Sequence, residues 1–199
     1  MVKAELKRKA ERVLRTLLKT YGQPVWRKPL PPLDELVSTI LSQNTNDSNR
    51  DRAFDALRSA FVDWAAVRDA PTEAVIAAIW PAGLANQKGP RIQQVLRQIT
   101  AERGELSLQF LGELPVEEAR RWLLRFKGVG PKTAAIVLLF AFRRPAFPVD
   151  THVHRVTGRL GLCPHRMSAA GAHPHLEALF QQQHYYAAHL NLIRLGREI

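Results

Sequence analysis

Two residues in this chain of 199 have types and surroundings suited to covalent or electrostatic chemistry: Lys132 and Asp150. Lys132 follows Phe126-Lys127-Gly128-Val129-Gly130-Pro131 and opens an apolar run that ends at Phe142. Pro131 suits the first position of a helix, where its missing N–H would have no intrahelical partner. Lys132 then falls in the first helical turn, where the positive end of the helix dipole favours the neutral amine. A neutral amine is a nucleophile that can form a Schiff base with a carbonyl-level carbon. Taken alone, a surface lysine that contacts phosphate is the simpler reading. Asp150 stands in Pro148-Val149-Asp150-Thr151-His152. Its plain role is to cap the helix that follows. A capped carboxylate is ionised and fixed, so it could also stabilise a cationic transition state such as that of glycosidic-bond cleavage.

The elements that must hold these residues are helices and short turns. Gly128 and Gly130 flank one valine, and glycine at both places allows positive φ and close approach of backbone N–H groups to a ligand. The local picture is helix, Gly-Val-Gly hairpin, helix, which makes an anion site suited to a phosphate. Asp34 is expected to cap a helix over 35–42, and Asn46 or Asp47 one running to Phe61. Between them lies Gln43-Asn44-Thr45-Asn46-Asp47, which is either an interhelical turn or a loop that offers amides to base edges. The loop Pro81 to Gly89 carries the apolar Leu84. That residue is either a core anchor or a wedge of the kind that inserts between base steps. Pro90 to Arg103, Pro115 to Phe126, Thr133 to Phe142, Asp150 to Leu160, His173 to Gln181 and His184 to Ile199 read as further helices. No strand pattern and no repeat is present, so the fold class is all-α.

Lys and Arg total 29 against 18 Asp and Glu, a formal charge of +11 with pI near 10.5. That excess fits a polyanionic partner such as nucleic acid or a membrane surface. The helix over 2–21 is basic and amphipathic, with Leu6, Val13, Leu14, Leu17 and Leu18 on one face, and reads as core-docking. The stretch Pro24 to Pro32 holds four prolines and reads as a crossing between two lobes. No apolar run is long enough to span a bilayer. The N-terminus lacks a signal-peptide pattern, so a cytoplasmic location is expected. The single cysteine, Cys163, excludes an internal disulfide and any multi-cysteine metal site within these residues. The seven histidines show no metal-ligand spacing. His152 and His154 diverge on a helix and read as structural or nucleic-acid-facing.

Leu124 to Ala134, followed by Phe147 to Val156, resembles the helix-hairpin-helix plus Gly/Pro-Asp signature of the endonuclease III family of DNA glycosylases. The loops Leu41 to Asp47 and Gly83 to Lys88 extend the resemblance. It implies a two-lobed helical fold: a six-helix barrel over about residues 25–144, with residues 1–24 and 145–199 forming a second lobe and DNA bound in the cleft. It further implies that Lys132 attacks C1′ of a flipped nucleotide, expels the damaged base and holds the sugar as a Schiff base, after which β-elimination nicks the strand. Asp150 matches the catalytic aspartate. Gln43 and Asn44 match the loop that fills the gap left by the flipped base, and Leu84 matches the wedge on the opposite strand. Such plugs offset an extrusion cost of a few kcal/mol. The resemblance implies that the backbone of Gly128 and Gly130 binds a phosphate and that Lys127, Val129, Thr151 and His152 are further DNA-binding residues.

The expected activity is a base-excision repair glycosylase and AP lyase acting on damaged, oxidised pyrimidines. The expected partner is double-stranded DNA bearing a damaged base or abasic site; no membrane is expected, and the protein is expected as a monomer. Two other readings stand beside this: a monofunctional glycosylase for mismatched or deaminated bases, which Lys132 disfavours, and a non-catalytic helix-hairpin-helix binding module, which needs neither Asp150 nor the plugs. Asn44 stands where members commonly carry glutamine, which leaves base preference open. Many members also carry four cysteines for a 4Fe–4S cluster shortly after a segment like Leu195 to Ile199. One remote cysteine cannot supply such a cluster. No metal is therefore expected on these residues, and a cluster only if the native chain continues past Ile199. The last helix reaches Ile199 without a glycine cap, so a further tail is the expectation.

Overall fold

The structure, a computed structural model, describes residues 2–199, with side chains from residue 4. Among the described residues there is no strand, and the all-α reading holds. Eleven α-helices follow in order: α1 (Val2–Tyr21), α2 (Pro32–Leu41), α3 (Asp47–Ala60), α4 (Trp64–Asp69), α5 (Thr72–Ala78), α6 (Ala85–Arg103), α7 (Val116–Leu123), α8 (Pro131–Ile136), α9 (Thr151–Arg159), α10 (Ala169–Leu179) and α11 (Tyr185–Glu198). They divide into two compact units, Leu30–Val137 and Met1–Pro29 with Leu138–Ile199.

In the unit Leu30–Val137, α6 packs against α2, α4 and α5, and α8 packs against α2 and α7. The fully buried face of α6 carries Ile92, Leu96 and Ile99 at helical spacing. Gln93 lies on this face with its amide saturated: Nε2 donates to the carbonyls of Val67 (3.0 Å) and Ala70 (2.8 Å), and Oε1 accepts from the Thr72 hydroxyl (2.8 Å). A buried amide satisfied this way avoids a desolvation penalty and fixes the turn between α4 and α5. At Gly89 a Cβ would lie 2.9 Å from Cγ1 of Ile76, so glycine sets the close approach of α6 to α5.

Several element boundaries differ from the sequence expectation for identifiable reasons. Helix α2 starts at Pro32, with Pro31 at the cap position, because proline is well suited to the first turn. Asp34 is therefore inside the helix rather than capping it, and its Oδ1 accepts a 2.7 Å bond from the Trp64 indole. Asn46 does cap α3, through the Asn49 N–H at 2.8 Å. Helix α6 begins at Ala85, five residues before the proline expected to start it, with Pro90 inside and facing solvent. Helix α10 begins at Ala169, capped by Ser168, and likewise contains its proline, Pro174. The apolar segment after Lys132 is α-helical only to Ile136 and continues as a π-helix over Val137–Ala141. Its residues Val137, Leu138, Leu139 and Phe140 are all buried.

In the unit Met1–Pro29 with Leu138–Ile199, α11 packs against α9 and α1, and α10 packs against α9 and α1. Leu14 and Leu17 of α1 are buried as the amphipathic pattern requires, and Ala10 is buried with them. A Cβ on Gly196 would meet the His152 Cβ at 2.8 Å, so this glycine lets α11 approach α9. After α1 the proline-rich stretch is held in this unit by Trp26, which stacks on Tyr186 with ring centroids 3.8 Å apart. The Tyr186 hydroxyl also donates to the Val25 carbonyl at 3.1 Å. No helix is long and apolar enough to cross a membrane among the described residues.

Candidate active site

Helix α7 ends at Leu123, and the chain turns through Leu124 to Gly130 before α8 begins. The turn is closed by Val129 N–H donating to the Phe126 carbonyl at 3.0 Å. Phe126 and Val129 are both buried, and Phe126 sits edge-on to Trp122 at 4.7 Å. Their burial anchors the hairpin and leaves Lys127 exposed at its tip. The Val129 side chain is buried in the anchor and is not placed to meet a ligand.

The two glycines have different reasons to be glycine. Gly128 has φ +86°, and a Cβ there would fall 2.1 Å from Cδ of Arg91. Gly130 has φ −94° and ψ −178°, an extended conformation open to any residue, and a Cβ there would meet nothing within 4 Å. Of the two glycines, both of which allow positive φ by residue type, Gly128 uses it and Gly130 does not. Folding does not require the missing side chain at Gly130, whereas close approach of a phosphate to its N–H would. Gly130→Ala should therefore leave the melting temperature unchanged and weaken duplex binding roughly tenfold, while Gly128→Ala should also lower stability by about 1 kcal/mol or more. Parallel thermal melts and binding titrations of the two variants check this.

Lys132 is the second residue of α8, half-buried, directly after Pro131. The Ala134 N–H donates to the Gly130 carbonyl at 3.0 Å, which fixes this first turn. Gln43 reaches the hairpin from the end of α2. Its Nε2 donates to the Gly128 carbonyl at 2.9 Å, and its Oε1 accepts from Nη1 of Arg91 at 3.2 Å. Both ends of the Gln43 amide are thus engaged, and its role in this structure is to brace the hairpin.

Asn44 and Leu84, the two plug residues of the sequence reading, are both exposed. They share a rarer property. Outside glycine, positive φ occurs among the described residues at Asn44 (53°), Leu84 (51°) and Arg143 (53°). Asparagine tolerates this left-handed conformation, but for leucine it costs roughly 1–2 kcal/mol. Leu84 follows Gly83, itself at φ 68°, and precedes α6 directly. It is 46% exposed, so burial of its side chain offsets the strain only in part, and it is not one of the buried core residues. Strained residues of this kind cluster at functional sites.

Beneath these loops lies a residue the sequence reading left in a loop. Lys88 is 1% exposed, and its Nζ donates to the carbonyls of Leu41 and Ala82, each at 2.8 Å. Burial, and secondarily the Arg91 guanidinium, lowers its pKa below the ordinary lysine value. A usable signal was present: starting α6 at Ala85 puts Lys88 in line with Ala85, Ile92 and Val95 on the apolar face. Reading Pro90 as a helix start hid it.

In the other unit, Asp150 caps α9, its Oδ1 accepting from the Val153 N–H at 2.7 Å. The segment leading to it is gripped on both edges. The Phe147 N–H donates to Glu177 Oε1 at 2.9 Å, His173 Nδ1 bonds the Phe147 carbonyl at 2.9 Å, and His189 Nδ1 bonds the Pro148 carbonyl at 3.0 Å. A carbonyl can only accept, so both histidines carry their proton on Nδ1. The Phe147 ring stacks on Phe180 at 5.3 Å and meets Tyr185 edge-on at 5.4 Å. Thr151 is exposed. His152 is half-buried, with Nδ1 on the Gly196 carbonyl at 3.0 Å, and the Arg155 guanidinium donates to the same oxygen. His154 bonds the Met167 carbonyl at 2.8 Å, which is a structural role.

The residues present do not fit a four-thiolate iron–sulfur cluster. Cys163 is buried beside the Thr157 hydroxyl at 3.5 Å, and burial pushes its thiol pKa up, away from the thiolate a metal needs. Among the described residues no group of three or more His, Cys, Asp or Glu side chains is arranged to hold a metal ion.

The family profile described as "HhH-GPD superfamily base excision DNA repair protein" matches residues 37–182. The chain is 35% identical over 151 residues to endonuclease III of Thermotoga maritima, covering 76% of this chain and 66% of that protein. To endonuclease III of Sulfolobus acidocaldarius it is 32% identical over 165 residues, covering 82% and 71%. Among solved structures, a trapped endonuclease III–DNA covalent intermediate is similar with a TM-score of 0.82 and 25% identity, covering 96% of this chain and 86% of that one. The chain spans 49% of an Arabidopsis thaliana relative to which it is 42% identical over 144 residues.

Proposed function

The chain belongs to the HhH-GPD superfamily of base excision DNA repair proteins, and from that premise we propose that it is a bifunctional DNA glycosylase and AP lyase acting on oxidised pyrimidines in duplex DNA. The observation that carries this reading is Lys132 in the first turn of α8, immediately after the hairpin, in a chain that also holds an ordered carboxylate at Asp150. In this reading the backbone of Gly128 and Gly130 seats a phosphate, and Lys127 adds charge beside it. The plugs Asn44 and Leu84 occupy the stack when the damaged nucleotide is extruded. Thr151 and His152 lie along the backbone near the start of α9, and Gln43 holds the hairpin in place.

The Lys132 amine attacks C1′ as the N-glycosidic bond breaks, and the base leaves with the bonding pair and takes a proton. The Asp150 carboxylate, fixed by its cap bond, stabilises positive charge developing on the sugar. The C1′–O4′ bond then breaks with its pair on O4′, which takes a proton, leaving an iminium between Nζ and C1′. Loss of a C2′ proton expels the 3′ phosphate, and water then hydrolyses the imine to restore the lysine. The residues 25–144 taken as a six-helix barrel, and the monomeric, cytoplasmic state expected from the sequence, belong to the same proposal.

A panel of duplexes carrying single oxidised pyrimidines, deaminated bases, mismatches or an abasic site tests it. Release of an oxidised pyrimidine accompanied by strand nicking is expected. Base release with an intact strand would favour the monofunctional reading, and no release from any duplex would favour a binding module.

A further inference from the structure

The plug loops begin at the two carbonyls that Lys88 binds. Leu41 is the last residue of α2, three positions before Asn44, and Ala82 closes the short turn two positions before Leu84. One buried ammonium therefore ties the root of the asparagine loop to the root of the leucine loop, with both bonds at 2.8 Å. Each loop then carries an exposed, non-glycine residue in the left-handed region, at φ 53° and φ 51°. Left-handed side chains persist only when their surroundings over-determine the backbone. Lys88 supplies part of that constraint on both sides at once.

The same loops are tied to the hairpin. Gln43 lies between Leu41 and Asn44 and donates to the Gly128 carbonyl, while Arg91, one helical turn beyond Lys88 on α6, donates to the Gln43 side-chain oxygen Oε1. A continuous set of polar contacts therefore runs from the Leu84 loop through Lys88 to the Asn44 loop and on to the phosphate-binding hairpin.

We propose that Lys88 is a positioning residue that holds Asn44 and Leu84 in register with each other, so that the two plugs enter the duplex together. The proposal rests on the glycosylase reading for the use of the plugs. A lysine that merely filled the core would be replaceable: exchanging a buried charge for an apolar side chain of similar shape is often neutral or stabilising. Lys88→Met would in that case preserve plug insertion.

The probe is a duplex with a tetrahydrofuran abasic analogue opposite 2-aminopurine, whose fluorescence rises when a wedge disturbs its stacking. This substrate is independent of which lesion the protein prefers. Wild-type protein should bind it and raise the fluorescence. Lys88→Met should melt near wild type and bind within about threefold, because phosphate contacts supply most of the affinity, yet lose most of the rise. Where Lys88→Met yields no folded protein, Lys88→Gln, which keeps a donor but has a shorter reach, is measured against the same outcomes. A wild-type rise in the folded variant overturns the proposal, as does binding by the wild-type protein without any rise. A normal rise on this analogue, combined with neither base release nor nicking on the panel of lesion and natural abasic duplexes, would instead overturn the glycosylase reading beneath it.

Discussion

Lys132→Gln should bind abasic duplex DNA within a few-fold of wild type while its strand nicking falls by about 1,000-fold or more, the scale expected when a covalent nucleophile is removed. The reasoning separates binding from chemistry. Duplex affinity comes mainly from phosphate contacts, and with a formal charge of +11 the loss of one positive charge is a small part of that term. Strand nicking by β-elimination needs an imine, and an amide nitrogen cannot form one. Glutamine keeps a polar side chain of similar length, so the first turn of α8 should survive the exchange. Single-turnover nicking of an abasic duplex and a binding titration at fixed salt measure the two effects. A Lys132→Gln protein that nicks within tenfold of wild type would remove this lysine from the chemistry.

Asp150→Asn should be the second large effect, because at this position capping and catalysis can be pulled apart. The carboxylate caps α9 through a 2.7 Å bond from the Val153 N–H, and asparagine caps about as well as aspartate. The melting temperature of Asp150→Asn should therefore stay near wild type. Base release should fall by roughly 100- to 10,000-fold, because the neutral amide no longer stabilises positive charge on the sugar. Asp150→Ala should lose the same activity and in addition about 1 kcal/mol of stability through loss of the cap. Thermal melts alongside single-turnover base release distinguish the contributions. Equal stability losses in both variants, or near-normal base release by Asp150→Asn, would make Asp150 a capping residue alone.

The candidate residues that are legible in the sequence are those fixed by local chemistry. The Gly-Val-Gly turn, Pro131 at the head of α8 and Asp150 as a cap are each set by residues within a few positions, and the structure has all three. What the sequence did not disclose are contacts made across tens of residues. Nothing near Gln43 indicates that its amide will be spent on Gly128, 85 positions away. His173, Glu177 and His189 grip the segment before Asp150 from α10 and α11, and nothing in their sequence spacing indicates those contacts.

Proline and glycine each left a conformation open. Pro90 has the residue type of a helix start, but it is tolerated on the solvent face of α6, which places Lys88 on the buried face rather than in a loop. Residue type permits the same freedom at Gly128 and Gly130, although Gly130 has ordinary extended geometry and Gly128 is left-handed. In each case residue type gave the range of permitted conformations, and packing selected among them. The left-handed backbone at Leu84 was illegible for the converse reason: leucine disfavours it, and only the surrounding turn imposes it.

The most direct measurement is borohydride reduction during reaction with an abasic duplex, followed by proteolysis and mass spectrometry of the cross-linked peptide. An imine at Lys132 predicts a stable protein–DNA adduct with the sugar remnant on the peptide containing Lys132, and no adduct from Lys132→Gln. An adduct mapped to another amine, or one that persists in Lys132→Gln, would contradict the assignment of Lys132 as the nucleophile.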